Sequence, residues 1–115
     1  MNLLLILKIS CAVLTVAVGI VSVVKPTSVY EFTGLQAAGP RGITEIRSIL
    51  GAVFIGLGLA PFLLGPNPAV FKAGGITYLA VALVRLVSIF LDKSSMPSNW
   101  ISLGAEIVLG IILLL

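Results

Sequence analysis

GPRGITEIRSILGAVFIGLGLAPFLL, residues 39–64, is the stretch on which the fold turns. From Thr44 onward it is almost all apolar, yet Arg41, Glu45 and Arg47 crowd its front edge within seven residues. The apolar residues run continuously instead of alternating, which argues for a helix and against a strand of a membrane barrel. Ser48, Ala52, Gly56 and Ala60 recur every four residues, a small-residue stripe of the kind that lets two membrane helices approach closely. Glu45 points along the same stripe. Arg47 points along a second row through Gly51, Phe54 and Gly58.

Three further stretches resemble this one. Leu3–Val24 is broken only by Lys8 and a few small polar residues. As a helix it would extend roughly 33 Å, enough to cross a hydrocarbon core. It is too long for a signal-peptide core, and no small-residue cleavage site follows it cleanly, so it reads as a retained span with Lys8 snorkelling to the headgroups. The other two stretches cover 69–91 and 99–115, and the last is short, roughly 24 Å from Trp100. The expected fold is an all-α membrane protein forming one domain, residues 1–115. Its helices cover about 3–24, 44–64, 69–91 and 99–115, in an up-down-up-down antiparallel bundle.

Composition excludes the soluble alternative. The chain has 115 residues, 59% hydrophobic and 10% charged, with a mean hydropathy of +1.25. A water-soluble domain of this size has too little interior to hide that much apolar surface. The seven basic residues are scattered and the net charge is +3, so there is no nucleic-acid footprint. There is no histidine, and Cys11 is the single cysteine, which removes an intrachain disulfide and a cysteine-based metal site. No nucleophile stands beside a base and no phosphate loop occurs. The expectation is therefore no catalytic residue, no metal and no cofactor.

The connections differ in length. GPNP at 65–68 is a tight turn, and Pro61 just before it can kink the helix it ends. DKSSMPSN at 92–99 is a polar turn in which Ser98 or Asn99 is a candidate cap, with Trp100 as an interfacial anchor. The loop at 25–43 is long. Lys25-Pro26 ends the first helix, and Tyr30 and Phe32 suit a membrane interface. The loop is either a plain connector, with or without a short interfacial helix, or a cover over a site. Lys8 and Lys72 on one side nearly balance Lys25, Arg41 and Lys93 on the other, so the charge rule leaves sidedness open.

Charged groups inside a span must be paired, snorkelled or hydrated. Glu45, Arg47, Arg85 and Glu106 are two acids and two bases, and their positions along the spans place all four in one half of the bilayer. Gly74, Gly75, Tyr78, Ala82 and Arg85 share a side of the third helix, and Ser102, Glu106 and Gly110 share a row of the fourth. The expectation is that Arg85 meets Glu106, Glu45 or both, with Tyr78 nearby. The cluster is then either an ionic clasp between helices or the lining of a polar pocket under the 25–43 loop.

GITEIRSILGAVFIGLGLAPFLL, LVRLVSIFLD and LGAEIVLGIILLL together resemble a family of small bacterial four-helix membrane proteins, the domain of unknown function numbered 4345, which is distantly similar to DoxX-like proteins. The shared pattern is a Glu-x-Arg before a glycine-rich helix, an arginine in the third helix and a glutamate in the fourth, here Glu45, Arg47, Gly51, Arg85 and Glu106. Ala52 departs from it, standing where a second glycine is common. The resemblance implies the bundle and the bacterial inner membrane, and no activity.

Three functions fit these features. One is a non-enzymatic module that binds an apolar or amphiphilic small molecule, or serves as a homo-oligomer or a subunit of a larger membrane complex. Another is a small dual-topology proton-coupled exporter, which needs a glutamate free to titrate. The last is a membrane enzyme acting on a lipid or isoprenoid through the Glu/Arg/Tyr cluster.

Overall fold

The computed structural model describes residues 2–115. Among them there is no strand. The helices are α1 (Leu3–Val24), α2 (Val29–Thr33), α3 (Pro40–Leu64), α4 (Pro68–Leu91) and α5 (Pro97–Leu114). All but α2 are long and apolar enough to cross a membrane.

Three spans start earlier than the hydropathy pattern predicts. Pro40, Pro68 and Pro97 each take the first turn of a helix. Proline is suited there: its fixed φ is helical and its missing N–H would have had no intrahelical partner. Hydropathy alone assigns these residues to loops. Asn67 caps α4, its side chain accepting the Ala69 N–H at 2.8 Å. Asn67→Ala is expected to lower stability by about 1 kcal/mol, read as a small drop in thermal midpoint without loss of the fold. The cap expected at Ser98 or Asn99 is absent. Met96 holds that position with no side-chain bond, and Asn99 turns to a different task described below.

The 25–43 segment contains structure of its own. A 3₁₀ turn over Pro26–Ser28 leads into α2, which ends at Gly34 with φ +74°, a left-handed conformation that favours glycine. Within α3, Ile46–Val53 is wound as a π-helix. Its i→i+5 bonds turn each residue through a smaller angle than an α-helix does, so side chains drift around the axis.

Two compact units divide the chain, one of Ile9–Gly65 and the other of Pro66–Leu115 with the N-terminal residues through Lys8. In the first unit, α1 and α3 meet at glycines. A Cβ on Gly51 would stand 2.4 Å from Val23 Cγ2, and one on Gly58 would stand 2.6 Å from the Ala12 carbonyl oxygen. From the α1 side, a Cβ on Gly19 would meet the Gly51 carbonyl at 2.6 Å. The contact row is therefore Gly51 and Gly58. The expected stripe is not the contact: Ser48, Ala52 and Gly56 are exposed, Ala60 is half-buried, and nothing lies within 4 Å of a Cβ on Gly56. The contact is instead the second row that the sequence offered, through Gly51 and Gly58: glycine lets the backbones touch, whereas the Ser48, Ala52 and Gly56 face turns away.

In the second unit, α4 packs on α5. A Cβ on Gly75 would lie 2.8 Å from the Gly110 carbonyl, and one on Gly110 would lie 2.7 Å from the Leu79 side chain. Ala82, Ile89 and Leu103 form a buried cluster further along. Phe90 and Trp100 meet edge to face with centroids 6.1 Å apart, and the Trp100 indole N–H donates to Ser95 Oγ at 3.0 Å.

Little of each span is covered. At most 28% of any span's most apolar window is buried, and Leu83, Val84, Val87, Phe90 and Leu91 all lie open along α4. Water would make that surface an aggregation site, whereas lipid tails solvate it without penalty. This is the surface of an integral membrane protein.

Candidate functional site

The sequence offered four intramembrane charges as one cluster, and the structure gives them three separate sets of partners. Arg85, on the buried side of α4 near Ala82, reaches Glu106 on α5. Its Nε donates to both carboxylate oxygens at 3.0 and 2.8 Å, and its Nη2 donates to Oε1 at 2.7 Å. Its Nη1 donates to Asn99 Oδ1 at 2.8 Å, and the Asn99 amide donates in turn to the Ser94 carbonyl and hydroxyl at 3.0 and 3.1 Å. Every nitrogen of the guanidinium is engaged. Glu106 is buried, Arg85 half-buried, and no buried side-chain nitrogen or oxygen among the described residues lacks a hydrogen bond. The planar fork of arginine makes this closed arrangement possible where a lysine would leave an oxygen unmatched. Tyr78 is buried on the same side of α4, two turns earlier.

Glu45 takes another partner. It pairs with Arg41, four residues earlier, and both are exposed. The expectation of a meeting with Arg85 assigned Arg41 to a loop. Once α3 begins at Pro40, Arg41 and Glu45 lie one turn apart on a single helix, where opposite charges naturally pair. Arg47 is exposed, and its Nη1 donates to the Val23 carbonyl at the end of α1, 2.7 Å away. That carbonyl has no helical partner, and Lys25-Pro26 prevents the helix from continuing, so Arg47 acts as a terminal cap.

Open space lies elsewhere, around residues 35–38. One cleft of about 250 Å³ is lined by Pro26, Tyr30, Leu35, Ala37, Ile43 and Ile46, with Thr27 and Gln36 as its polar members. A second, of about 400 Å³, is lined by Leu35–Ala38, Gly42, Glu45, Ile46, Ile49 and Leu50. They share Leu35, Gln36, Ala37 and Ile46, so the segment after α2 forms a wall common to both. Mostly apolar walls with a few polar groups at one side are the usual lining of a small-molecule site. Of the residues expected at a site, only Glu45 lines these clefts. Periodicity could not find the others, because an irregular segment and the first turns of α3 supply them.

Lys8 also departs from expectation. It is 7% exposed and not extended to the surface, with its ammonium 5.6 Å from the centroid of the Phe71 ring. The aromatic face substitutes in part for the water that the charge has lost. Among the described residues no group of three or more His, Cys, Asp or Glu side chains is placed to hold a metal.

Four membrane-length helices with mostly open apolar faces, and an Arg–Glu pair between the last two, define a small polytopic integral membrane protein. A family model described as "Domain of unknown function (DUF4345)" matches residues 3–115, and the chain belongs to that family. The distant DoxX-like similarity is not part of that match. No curated protein and no solved structure matches the chain.

Proposed function

We propose that this protein is a non-catalytic membrane module that holds an amphiphilic molecule in the paired clefts beside residues 35–38. The observation that carries this reading is the joint lining: largely apolar from Pro26 through Ile46 to Leu50, with Thr27, Gln36 and Glu45 as polar members, Glu45 being paired with Arg41. The tail of the ligand lies along Leu35, Ile46 and Ile49, and its polar head meets Gln36 and Glu45. In this reading the four spans run up-down-up-down in the bacterial inner membrane, and the connector lies at one interface with Tyr30 and Phe32 in the headgroup layer. The Arg85–Glu106 pair then lies within the bilayer and serves as a clasp. Its closed hydrogen bonding favours this reading over proton-coupled export, which needs a carboxylate without a fixed cation partner.

The test is titration of the protein in nanodiscs with a dansyl-labelled fatty alcohol, whose hydroxyl can donate to Glu45. Saturable binding is expected. Ala37→Trp, which places a large ring in the wall common to both clefts, is expected to weaken it at least about tenfold, near 1.4 kcal/mol. Gly56→Ala, at an open position outside the clefts, is expected to bind as the parent does. Equal affinity in all three proteins would contradict the assignment.

A further inference from the structure

We infer that a third cleft, at the start of α1, is an anion site that takes the phosphate of an anionic phospholipid headgroup, with Lys8 as its cation. The inference is independent of the clefts beside residues 35–38. This cleft holds about 180 Å³ and is lined by Asn2, Leu5, Lys8, Pro66, Pro68 and Phe71 among others.

Lys8 is the charged group of this cleft. It is 93% buried, yet among the described residues it makes no hydrogen bond and no ion pair, and its one recorded partner is the Phe71 ring. A buried ammonium keeps three donors to satisfy, and an aromatic face accepts none of them in the way an oxygen does. No fully enclosed side-chain nitrogen or oxygen among the described residues lacks a hydrogen-bond partner, so the Lys8 ammonium keeps some accessible surface, and Lys8 lines this cleft. The ring fixes one side of the charge and leaves the other toward that space.

The rest of the cleft suits an anion and resists a cation. Asn2 Oδ1 accepts the Leu5 N–H at 2.7 Å, which occupies the oxygen and leaves the amide N–H groups as the free polar edge. The first turn of α1 contributes the positive end of the helix dipole. Pro66 and Pro68 bring no N–H, and no carboxylate lines the cleft. One full positive charge with neutral donors matches a singly charged phosphodiester, and Leu5 and Phe71 provide apolar wall for the glycerol and first methylenes that follow it. Inorganic phosphate shares the chemistry of the headgroup but has no use for that wall.

Thermal unfolding in mixed micelles tests the assignment, with phosphatidylglycerol, phosphatidylcholine or inorganic phosphate added. The parent is expected to be stabilised by phosphatidylglycerol, with an apparent affinity about tenfold above phosphatidylcholine, the scale of a charge-assisted hydrogen bond. Lys8→Met should lose that preference. Lys8→Arg should retain it, and so should Lys72→Gln, which removes the same charge from an exposed position. Equal stabilisation by inorganic phosphate would keep the anion site and overturn the lipid as its source. Equal response to both lipids in the parent would overturn the site, as would an equal loss of preference in Lys8→Met and Lys72→Gln. Should Lys8→Met not fold, native mass spectrometry of the parent decides between the same outcomes by counting retained lipids of each kind.

Discussion

Arg85→Met is expected to destabilise the protein by about 3–5 kcal/mol, because it leaves a buried carboxylate without its cation. The three bonds from Nε and Nη2 hold both oxygens of Glu106, and the Asn99 bridge holds the third nitrogen in place. Removing the guanidinium therefore strips Glu106 of its ion pair and frees Asn99 at once. The double variant Arg85→Met/Glu106→Leu removes both charges, and it should recover most of the loss, since a buried pair contributes little over apolar residues of similar volume. Unfolding by SDS titration in mixed micelles measures all three proteins on one scale. A single variant as stable as the parent, or a double variant no better than the single, would show that the pair does not act as a clasp.

The helix contact in the first unit gives the other large effect. Gly58→Leu is expected to cost about 3 kcal/mol, the upper range for overpacking a well-filled contact. The Cβ alone would lie 2.6 Å from the Ala12 carbonyl oxygen and 2.9 Å from the Val16 amide nitrogen, so backbone must move and side-chain rotation gives no relief. Gly56→Leu, two residues away, faces open space and should be tolerated, gaining up to about 1 kcal/mol of helix propensity. The order of the two thermal midpoints is the readout. Had the four-residue stripe been the contact, that order would be reversed.

Those two glycines mark where the sequence was legible and where it was not. Hydropathy located all four spans, because lipid imposes length and apolarity on each one independently of its neighbours. The boundaries slipped at Pro40, Pro68 and Pro97, which hydropathy scores as turn residues although a helix accepts proline in its first turn. That slip hid Arg41 as the partner of Glu45. The stripe through Gly56 slipped for another reason: α3 carries two rows of small residues, and periodicity alone does not say which of them meets α1; the row through Gly51 and Gly58 does. The face of α4 bearing Gly75, Tyr78, Ala82 and Arg85, and the row of α5 bearing Glu106 and Gly110, were readable because both helices stay regular. Asn99 was visible only as a cap, since a polar residue before an apolar run has the same signature whether it serves its own helix or an arginine fourteen positions earlier. The clefts had no signature, because irregular backbone around Leu35–Ala37 builds their common wall.

The clefts beside residues 35–38 are proposed to hold an amphiphile in the living membrane. Native mass spectrometry of the protein released in a mild detergent from the cells that make it tests this most directly. The parent should retain a small amphiphilic molecule, lost from Ala37→Trp and kept by Gly56→Ala. A parent that carries nothing, or an Ala37→Trp variant that carries the same mass as the parent, would contradict it.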